Sequence, residues 1–188
     1  MTSSTSTPGR ARLALTPTPS PAGVPDGAWW PYSRDLAVEL PLLVAALRDR
    51  IGRVTRVTTN PAPWSAAPHT LSTGGDTVHM GWLSGQDVDT MVLFSYTLGR
   101  CDLLVIPPGT EYASVTRLMV AASAPGNLRP SGVLMSDEES ARRRRREVKA
   151  GEDVWETEGG PSPRPPLRPR PVSGARMIYL PRGGRHRT

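Results

Sequence analysis

The chain has 188 residues, of which 37% are hydrophobic, and its net charge is +6. That length suits one ordinary domain with additions, and that hydrophobic fraction supports one modest core. The single cysteine, Cys101, excludes an intrachain disulfide and any metal site built from several cysteines. The 18 glycines and 21 prolines predict that much of the chain is irregular.

No membrane or export signal is expected from the sequence. The first 25 residues are rich in Ser, Thr, Pro and Gly and contain no apolar stretch of signal-peptide length. The most apolar run, residues 40–47, is shorter than the ~20 residues that span a bilayer. We therefore expect a cytoplasmic protein.

The N-terminal segment predicts disorder followed by a short strand. Residues 1–9 form a Ser/Thr/Pro tract with nothing to bury, so we expect them to be disordered. Residues 10–15 alternate between basic and apolar side chains and place Leu13 and Leu15 on one face, which predicts a half-buried strand. The repeated prolines of residues 16–21 end it, because proline lacks the N–H that a sheet needs.

Residues 26–31 have the sequence DGAWWP, which places two of the five tryptophans side by side. A glycine before the pair and a proline after it predict a corner. In such a corner one indole, from Trp29 or Trp30, points into the core while the other lies over its edge. The alternative is that the outward indole stacks on a ligand or a nucleobase. We favour plain packing.

A helix follows the tryptophans. Apolar residues recur at spacings of three and four on one face, at Leu36, Leu40, Leu43, Leu47 and Ile51. Ser33 is the predicted N-cap, Asp35 lies in the first turn, and Gly52 ends the helix. Pro41 interrupts the pattern, so we predict a kink or a break there.

The remaining pattern predicts an α+β domain over residues 10–125. Strands are predicted at residues 53–59, 77–83, 90–96 and 102–106, and a second helix runs from Thr110 to residue 122. The links between the strands are short, which favours an antiparallel meander. We therefore expect a mostly antiparallel twisted sheet of about five strands covered by two helices.

Several motifs resemble a known family. They are RLALTP at residues 12–17, DGAWWP at 26–31, SRDL at 33–36, ELP at 39–41 and DLLVIPP at 102–108. Together they resemble a small actinobacterial family that is known only as a domain of unknown function, over residues 10–123. The resemblance implies a fold unit and a lineage without a reaction. The position of Tyr32 is usually basic in that pattern, so the resemblance implies no anion-binding role for it here.

The excess positive charge lies after residue 135, where thirteen basic residues outnumber eight acids. Residues 136–150 begin with acids and continue with basic residues, which predicts an isolated charged helix. Residues 151–188 are rich in Pro, Arg and Gly and are predicted to be disordered. On a helix, consecutive arginines surround the axis, which suits nonspecific phosphate attraction. A solvated charge run is the favoured interpretation of Arg142, Arg143, Arg144, Arg145 and Arg146.

The sequence predicts no cofactor and no metal site. The three histidines lack metal-ligand spacing, and neither a phosphate-binding loop nor a dinucleotide fingerprint occurs. Asp26, Arg34 and Asp35 flank the tryptophan pair and are a candidate charged rim of a pocket. The favoured interpretation is a helix cap with a surface ion pair.

These observations predict a non-enzymatic α+β module with an accessory, regulatory or interaction role. The candidate contact site comprises Asp26, Trp29, Trp30, Arg34 and Asp35, and the partner is an unidentified protein or small molecule. One alternative is weak nonspecific nucleic-acid binding through the arginine-rich tail. Another is a small hydrolase or isomerase with its site beside Trp29 and Trp30.

Overall fold

The computed structural model describes the backbone of residues 10–157 and the side chains of residues 10–150. Its strands are β1 (Leu13–Leu15), β2 (Gly27–Trp29), β3 (Val54–Thr59), β4 (Thr70–Thr73), β5 (Asp76–Trp82), β6 (Thr90–Ser95) and β7 (Gly99–Val105). Its helices are α1 (Leu36–Ile51), α2 (Tyr112–Ala122) and α3 (Ser131–Thr157). The chain divides into two units, Met1–Val148 and Lys149–Thr188. The fold is that of the first unit, and the described residues of the second belong to the end of α3.

The seven strands form one mixed sheet in the order β1-β2-β7-β6-β3-β5-β4. The α+β class is as predicted, but the sheet has seven strands instead of about five, and two of its six pairings are parallel. Strands β2 and β4 have only three and four residues, too few to show an alternating pattern. In addition, β2 pairs in parallel with β7, and β3 pairs in parallel with β5.

The expected meander fails because β3 lies between β5 and β6. The link from β5 to β6 therefore crosses the end of β3, and hydrogen bonds hold it there. The backbone N–H of Leu83 donates to the carbonyl of Thr59 over 3.1 Å, and the Gln86 side chain donates to the carbonyl of Thr58 over 3.2 Å. A short connection rich in Gly and Asp thus spans one strand instead of closing a hairpin.

The prediction at Pro41 was a kink or a break; helix α1 runs unbroken through Pro41, so the break is wrong and the kink stays a prediction. All five apolar residues of the predicted stripe are buried. Each buried leucine contributes about 1.5–3 kcal/mol, so together they outweigh the ~3 kcal/mol cost of an interior proline. The N-cap is Asp35 instead of the predicted Ser33. The helix ends at Gly52 as predicted, with a φ of +77°.

Two apolar clusters lie on opposite faces of the sheet, because successive residues of a strand point to opposite sides. Trp29 belongs to the cluster that contains the buried stripe of α1. Ala28 and Leu104 belong to the other cluster, which contains Val115 and Leu118 of α2 and Leu134 of α3. The described part therefore has three layers, with α1 on one face and α2 with the start of α3 on the other.

The charged helix begins at Ser131, five residues before its predicted start, and its first turns are packed. Leu134 is only 2% exposed, and Met135 packs on the same cluster. The pattern of charges that predicted an isolated helix begins at residue 136, after these apolar residues. Helix α2 also starts differently from the prediction: its N-cap is Glu111, not Thr110, and Glu111 makes no side-chain capping bond.

Two predictions of disorder fall largely outside the described residues. Those are the predictions for residues 1–9 and for residues 151–188, of which the structure describes the backbone of residues 151–157. Within the predicted tail, residues 151–157 are helical and form the last turns of α3. Gly151 therefore does not end this helix, in contrast to Gly52 of α1, whose backbone conformation is left-handed.

Strands β1 and β2 approach each other closely at Gly27. A Cβ atom at this position would collide with the carbonyl oxygen of Ala14 and lie 2.9 Å from Cα of Leu15. We expect Gly27→Ala to lower the free energy of unfolding by about 1–3 kcal/mol, as overpacking does. Urea unfolding measures this change. Gly85→Ala is the control, since nothing lies within 4 Å of that position; equal effects of the two substitutions would contradict the close approach.

Candidate functional site

Asp26 ties the segment before β2 to β7. Its Oδ1 accepts the backbone N–H of Ser20 over 2.5 Å, and its Oδ2 accepts the N–H of Asp102 over 2.8 Å. The N–H of Asp26 in turn donates to the carbonyl of Asp102 over 2.6 Å. Both oxygens of the carboxylate are therefore engaged in holding the backbone, and Asp26 has a structural role.

Asp102 is buried beside Asp26 and is held by a bidentate ion pair. The Arg100 guanidinium donates to its two carboxylate oxygens over 2.7 and 2.9 Å. The N–H of Gly23 adds a third bond to Oδ2 over 2.9 Å. The hydrogen bond that Arg100 donates to Asp102 raises the pKa of Arg100. The carboxylates of Asp26 and Asp102 thus accept backbone N–H groups and are not free to act as bases.

Trp29 is 1% exposed and stacks on Trp64. The ring centroids are 5.7 Å apart and the planes are inclined by 24°. The Trp64 indole N–H donates to the hydroxyl of Thr59 over 3.4 Å, so the second ring is also fixed in orientation. The sequence predicted core packing for one indole of the corner, and Trp29 is that indole.

Trp30 lies on the opposite face of the sheet and is half-buried. Its indole N–H donates to the carbonyl of Pro108 over 3.3 Å. The guanidinium carbon of Arg12 is 3.4 Å from the Trp30 ring centroid and 3.9 Å from that of Tyr32. Arg12 also donates to the carbonyls of Trp30 and Pro31 over 2.9 and 2.6 Å. Burial lowers the pKa of Arg12. Sequence reasoning missed this cation–π contact, although it quoted the segment that contains Arg12.

Arg34 and Asp35 have separate roles and do not form the predicted surface ion pair among the described residues. Asp35 is the N-cap of α1, and its Oδ1 accepts the N–H of Ala37 over 3.0 Å. The carbonyl of Arg34 accepts both the N–H and the hydroxyl of Ser65, over 2.9 and 3.0 Å. Arg34 lines a cavity.

That cavity, the Trp64 cavity, has a volume of about 260 Å³. It is lined by Pro31, Arg34, Ala62, Pro63, Trp64, Val88, Asp89, Val105, Pro107 and Pro108. It adjoins the tryptophan pair, because Trp64 stacks on Trp29 and Pro31 follows Trp30. Arg34 and Asp89 are its charged lining residues, and the rest of the lining is apolar.

Asp89 borders a second cavity as well. That cavity has a volume of about 380 Å³ and is lined by Asp89, Thr110, Ser114, Leu118, Gly132, Met135, Ser136, Glu138, Glu139 and Arg142. Burial, and then the charge of Asp87, raise the pKa of Asp89 to about 6. Asp87 itself approaches the start of α3, where a Cβ atom at Gly132 would lie 2.5 Å from its Oδ2. Nothing in the local sequence distinguishes Asp89, and sequence reasoning missed it.

The five arginines of α3 divide into two groups. Arg145 donates to Glu138 over 2.8 Å, and the Nε of Arg142 lies 3.5 Å from a carboxylate oxygen of Glu111. The side chains of the other three are exposed, and these are Arg143, Arg144 and Arg146. Two of the five are thus close to acids, and phosphate attraction by this segment stays a prediction.

The remaining chemistry of the described residues is sparse. No group of three or more His, Cys, Asp or Glu residues among them is arranged to hold a metal ion. Cys101 lines a cavity of about 130 Å³ together with Asp26 and Arg50. Burial, aided by Asp26 and Asp102, raises the pKa of this thiol to about 12. The thiol is therefore protonated at neutral pH and is a poor nucleophile.

Comparison with known proteins assigns the chain to a family. The model of a family of unknown function (DUF5994) matches residues 12–122. The chain belongs to this family. The resemblance to a domain of unknown function is thereby confirmed, and the family match ends at the last residue of α2. No curated protein and no solved structure matches the chain. Over the residues that the structure describes, none of the helices combines the length and apolar character needed to cross a membrane.

Two aspartates of the predicted site differ in their structural importance. We expect Asp26→Ala to lower the free energy of unfolding by at least about 2 kcal/mol, because two partly buried N–H groups lose a charged acceptor. Asp35→Ala removes an exposed N-cap, which costs about 1 kcal/mol. Chemical denaturation of both variants measures the difference. A smaller loss for Asp26 than for Asp35 would contradict the structural role of Asp26.

The raised pKa of Asp89 predicts a pH-dependent stability. Because the pKa in the folded state lies above the ordinary 3.8, stability falls as pH rises from about 4 to above 6. Asp89→Asn removes this loss, so we expect the variant to equal the wild type near pH 4. At pH 8 it should be more stable by about 1–2 kcal/mol, a value reduced for partial solvent screening. Urea unfolding across this pH range measures the effect, and a pH-independent difference would contradict it.

Proposed function

We propose that this chain is a non-enzymatic cytoplasmic binding module with an accessory or interaction role, and that the Trp64 cavity is its ligand site. The observation that carries the proposal is an apolar cavity of about 260 Å³ beside the stacked tryptophans, with two charged groups, Arg34 and Asp89, in its lining. An apolar concave site with a few polar groups is the usual form of a small-molecule site.

The size of the cavity limits what it can hold. Ligand pockets commonly measure about 300–1,000 Å³, so a cavity of about 260 Å³ suits a small molecule or the tip of one partner side chain. The walls of the cavity are rigid before a ligand binds. Proline fixes the backbone of Pro31, Pro63, Pro107 and Pro108, and Trp64 is held by its stack on Trp29. Little conformational freedom is lost when such a site is filled.

The contacts at the tryptophan pair favour binding over catalysis. A general base needs a carboxylate that is free to accept a proton from a substrate. Asp26 and Asp102 already accept backbone N–H groups, and Asp35 caps a helix. The hydrolase or isomerase alternative therefore loses the acids on which it depended.

The test uses a blocking substitution at the rim. Val88 lines the cavity and is 46% exposed, so Val88→Trp should fill the cavity without disturbing the core. We expect 3-methylbutan-1-ol to shift the Trp64 indole N–H signal in an NMR titration, and Val88→Trp to weaken this binding at least tenfold. Val38→Trp is the matched control, because Val38 is 57% exposed on α1 and lies outside the cavity.

The outcomes separate binding at the cavity from binding elsewhere. Equal weakening by the two substitutions would show that the probe binds somewhere other than the Trp64 cavity. Absence of any saturable shift in the wild-type protein would remove the proposal altogether.

A further inference from the structure

Asp89 is an acceptor that the described residues leave without a donor. Its backbone is engaged, since its N–H donates to Asp87 Oδ1 over 3.0 Å and its carbonyl accepts the N–H of Val105 over 2.8 Å. No described residue donates a hydrogen bond to its side-chain oxygens, although the residue is half-buried. Partial burial disfavours the ionised form of this carboxylate, and a positively charged ligand group favours that form.

The walls of the Trp64 cavity favour a ligand that donates hydrogen bonds. Four of its ten lining residues are prolines, which have no N–H to offer an anion. The indole N–H of Trp64 is already directed to Thr59. Arg34 is the cationic lining residue, but it is exposed and therefore hydrated. Asp89 is thus the charged group of the lining that gains most from a partner.

We propose that the Trp64 cavity binds a small apolar molecule that carries a protonated primary amine, with the ammonium group paired to Asp89 and the apolar body against Trp64. This inference rests on the proposed function and adds the chemical class of the ligand. The ammonium group supplies up to three N–H donors to a carboxylate that has none from described residues. Trp64 and Val105 supply the apolar contact.

Ionisation of Asp89 controls this binding. The charged groups around it are Asp87 on its own loop, Arg34 in the Trp64 cavity, and Glu138, Glu139 and Arg142 on α3. An ammonium ion needs the ionised carboxylate, and the pKa of Asp89 is about 6. Affinity for the amine therefore falls as pH is lowered through 6, whereas affinity for a neutral molecule of the same shape stays constant.

Two probes with the same apolar body test the inference. They are 3-methylbutan-1-amine and 3-methylbutan-1-ol, titrated against the full chain by NMR at pH 7.5 and at pH 5. We expect the amine to bind at least tenfold more tightly than the alcohol at pH 7.5 and to lose most of that advantage at pH 5. Asp89→Asn should equalise the two probes at both pH values. Asp49→Asn removes an exposed acid of α1 outside the cavity lining and should leave the advantage unchanged.

Each outcome decides something different. Equal affinity for amine and alcohol in the wild-type protein overturns the inference and leaves the proposed function standing. A third probe, 3-methylbutanoate, has the same apolar body and a negative charge; if it binds more tightly than the amine, the inference is overturned and the ligand charge is assigned to Arg34. Binding of none of the probes removes the proposed function as well. An amide spectrum of Asp89→Asn with the wild-type dispersion shows that the variant is folded. A loss of the affinity difference between amine and alcohol in that variant is then not caused by unfolding.

Discussion

The parallel pairing of β2 with β7 positions both the core and the candidate site. It aligns Ala28 with Leu104 and Trp29 with Val105, so one three-residue strand contributes to the apolar clusters on both faces. Strand β3 runs in the same direction, because both it and β7 are antiparallel to β6. The carboxyl ends of these three strands therefore meet at one edge of the sheet, and the segments that follow them form most of the walls of the Trp64 cavity.

Side-chain periodicity predicted the elements whose pattern is local. The stripe of α1 and the strands near residues 54–59, 76–82, 90–95 and 99–105 were all predicted close to their observed bounds. The parallel pairings were not predictable in this way, because they join strands far apart in the chain through backbone hydrogen bonds that leave no local pattern. Strand β2 shows the limit: two adjacent tryptophans suggested a corner, whereas Trp29 is the last residue of the strand and Trp30, which follows it, packs on the opposite face of the sheet.

The candidate site was predictable only in its neighbourhood. Sequence reasoning selected residues 26–35, and the cavity does adjoin them at Pro31 and Arg34. It did not select Trp64, which follows β3, or Asp89, which lies in the link from β5 to β6 that crosses the end of β3. The acids it did select act in capping and backbone anchoring. Capping needs a side-chain oxygen close in sequence to the start of a helix, and backbone anchoring needs one beside a neighbouring strand. Composition alone does not distinguish an acid in either role from a catalytic acid.

Asp89 differs from the two fully buried acids of the described residues in how its charge is accommodated. Glu39 accepts the N–H of Tyr32 and the hydroxyl of Ser33 over 3.0 and 2.9 Å, and Asp102 is held by Arg100 and Gly23. A fold normally satisfies the carboxylates that it buries, since an unpaired one costs stability. Asp89 lies between two cavities, and no described residue supplies it with such a donor; burial and the charge of Asp87 raise its pKa to about 6. Residues that keep such a cost are concentrated at functional sites, so the physical exception and the concave surface point to the same place.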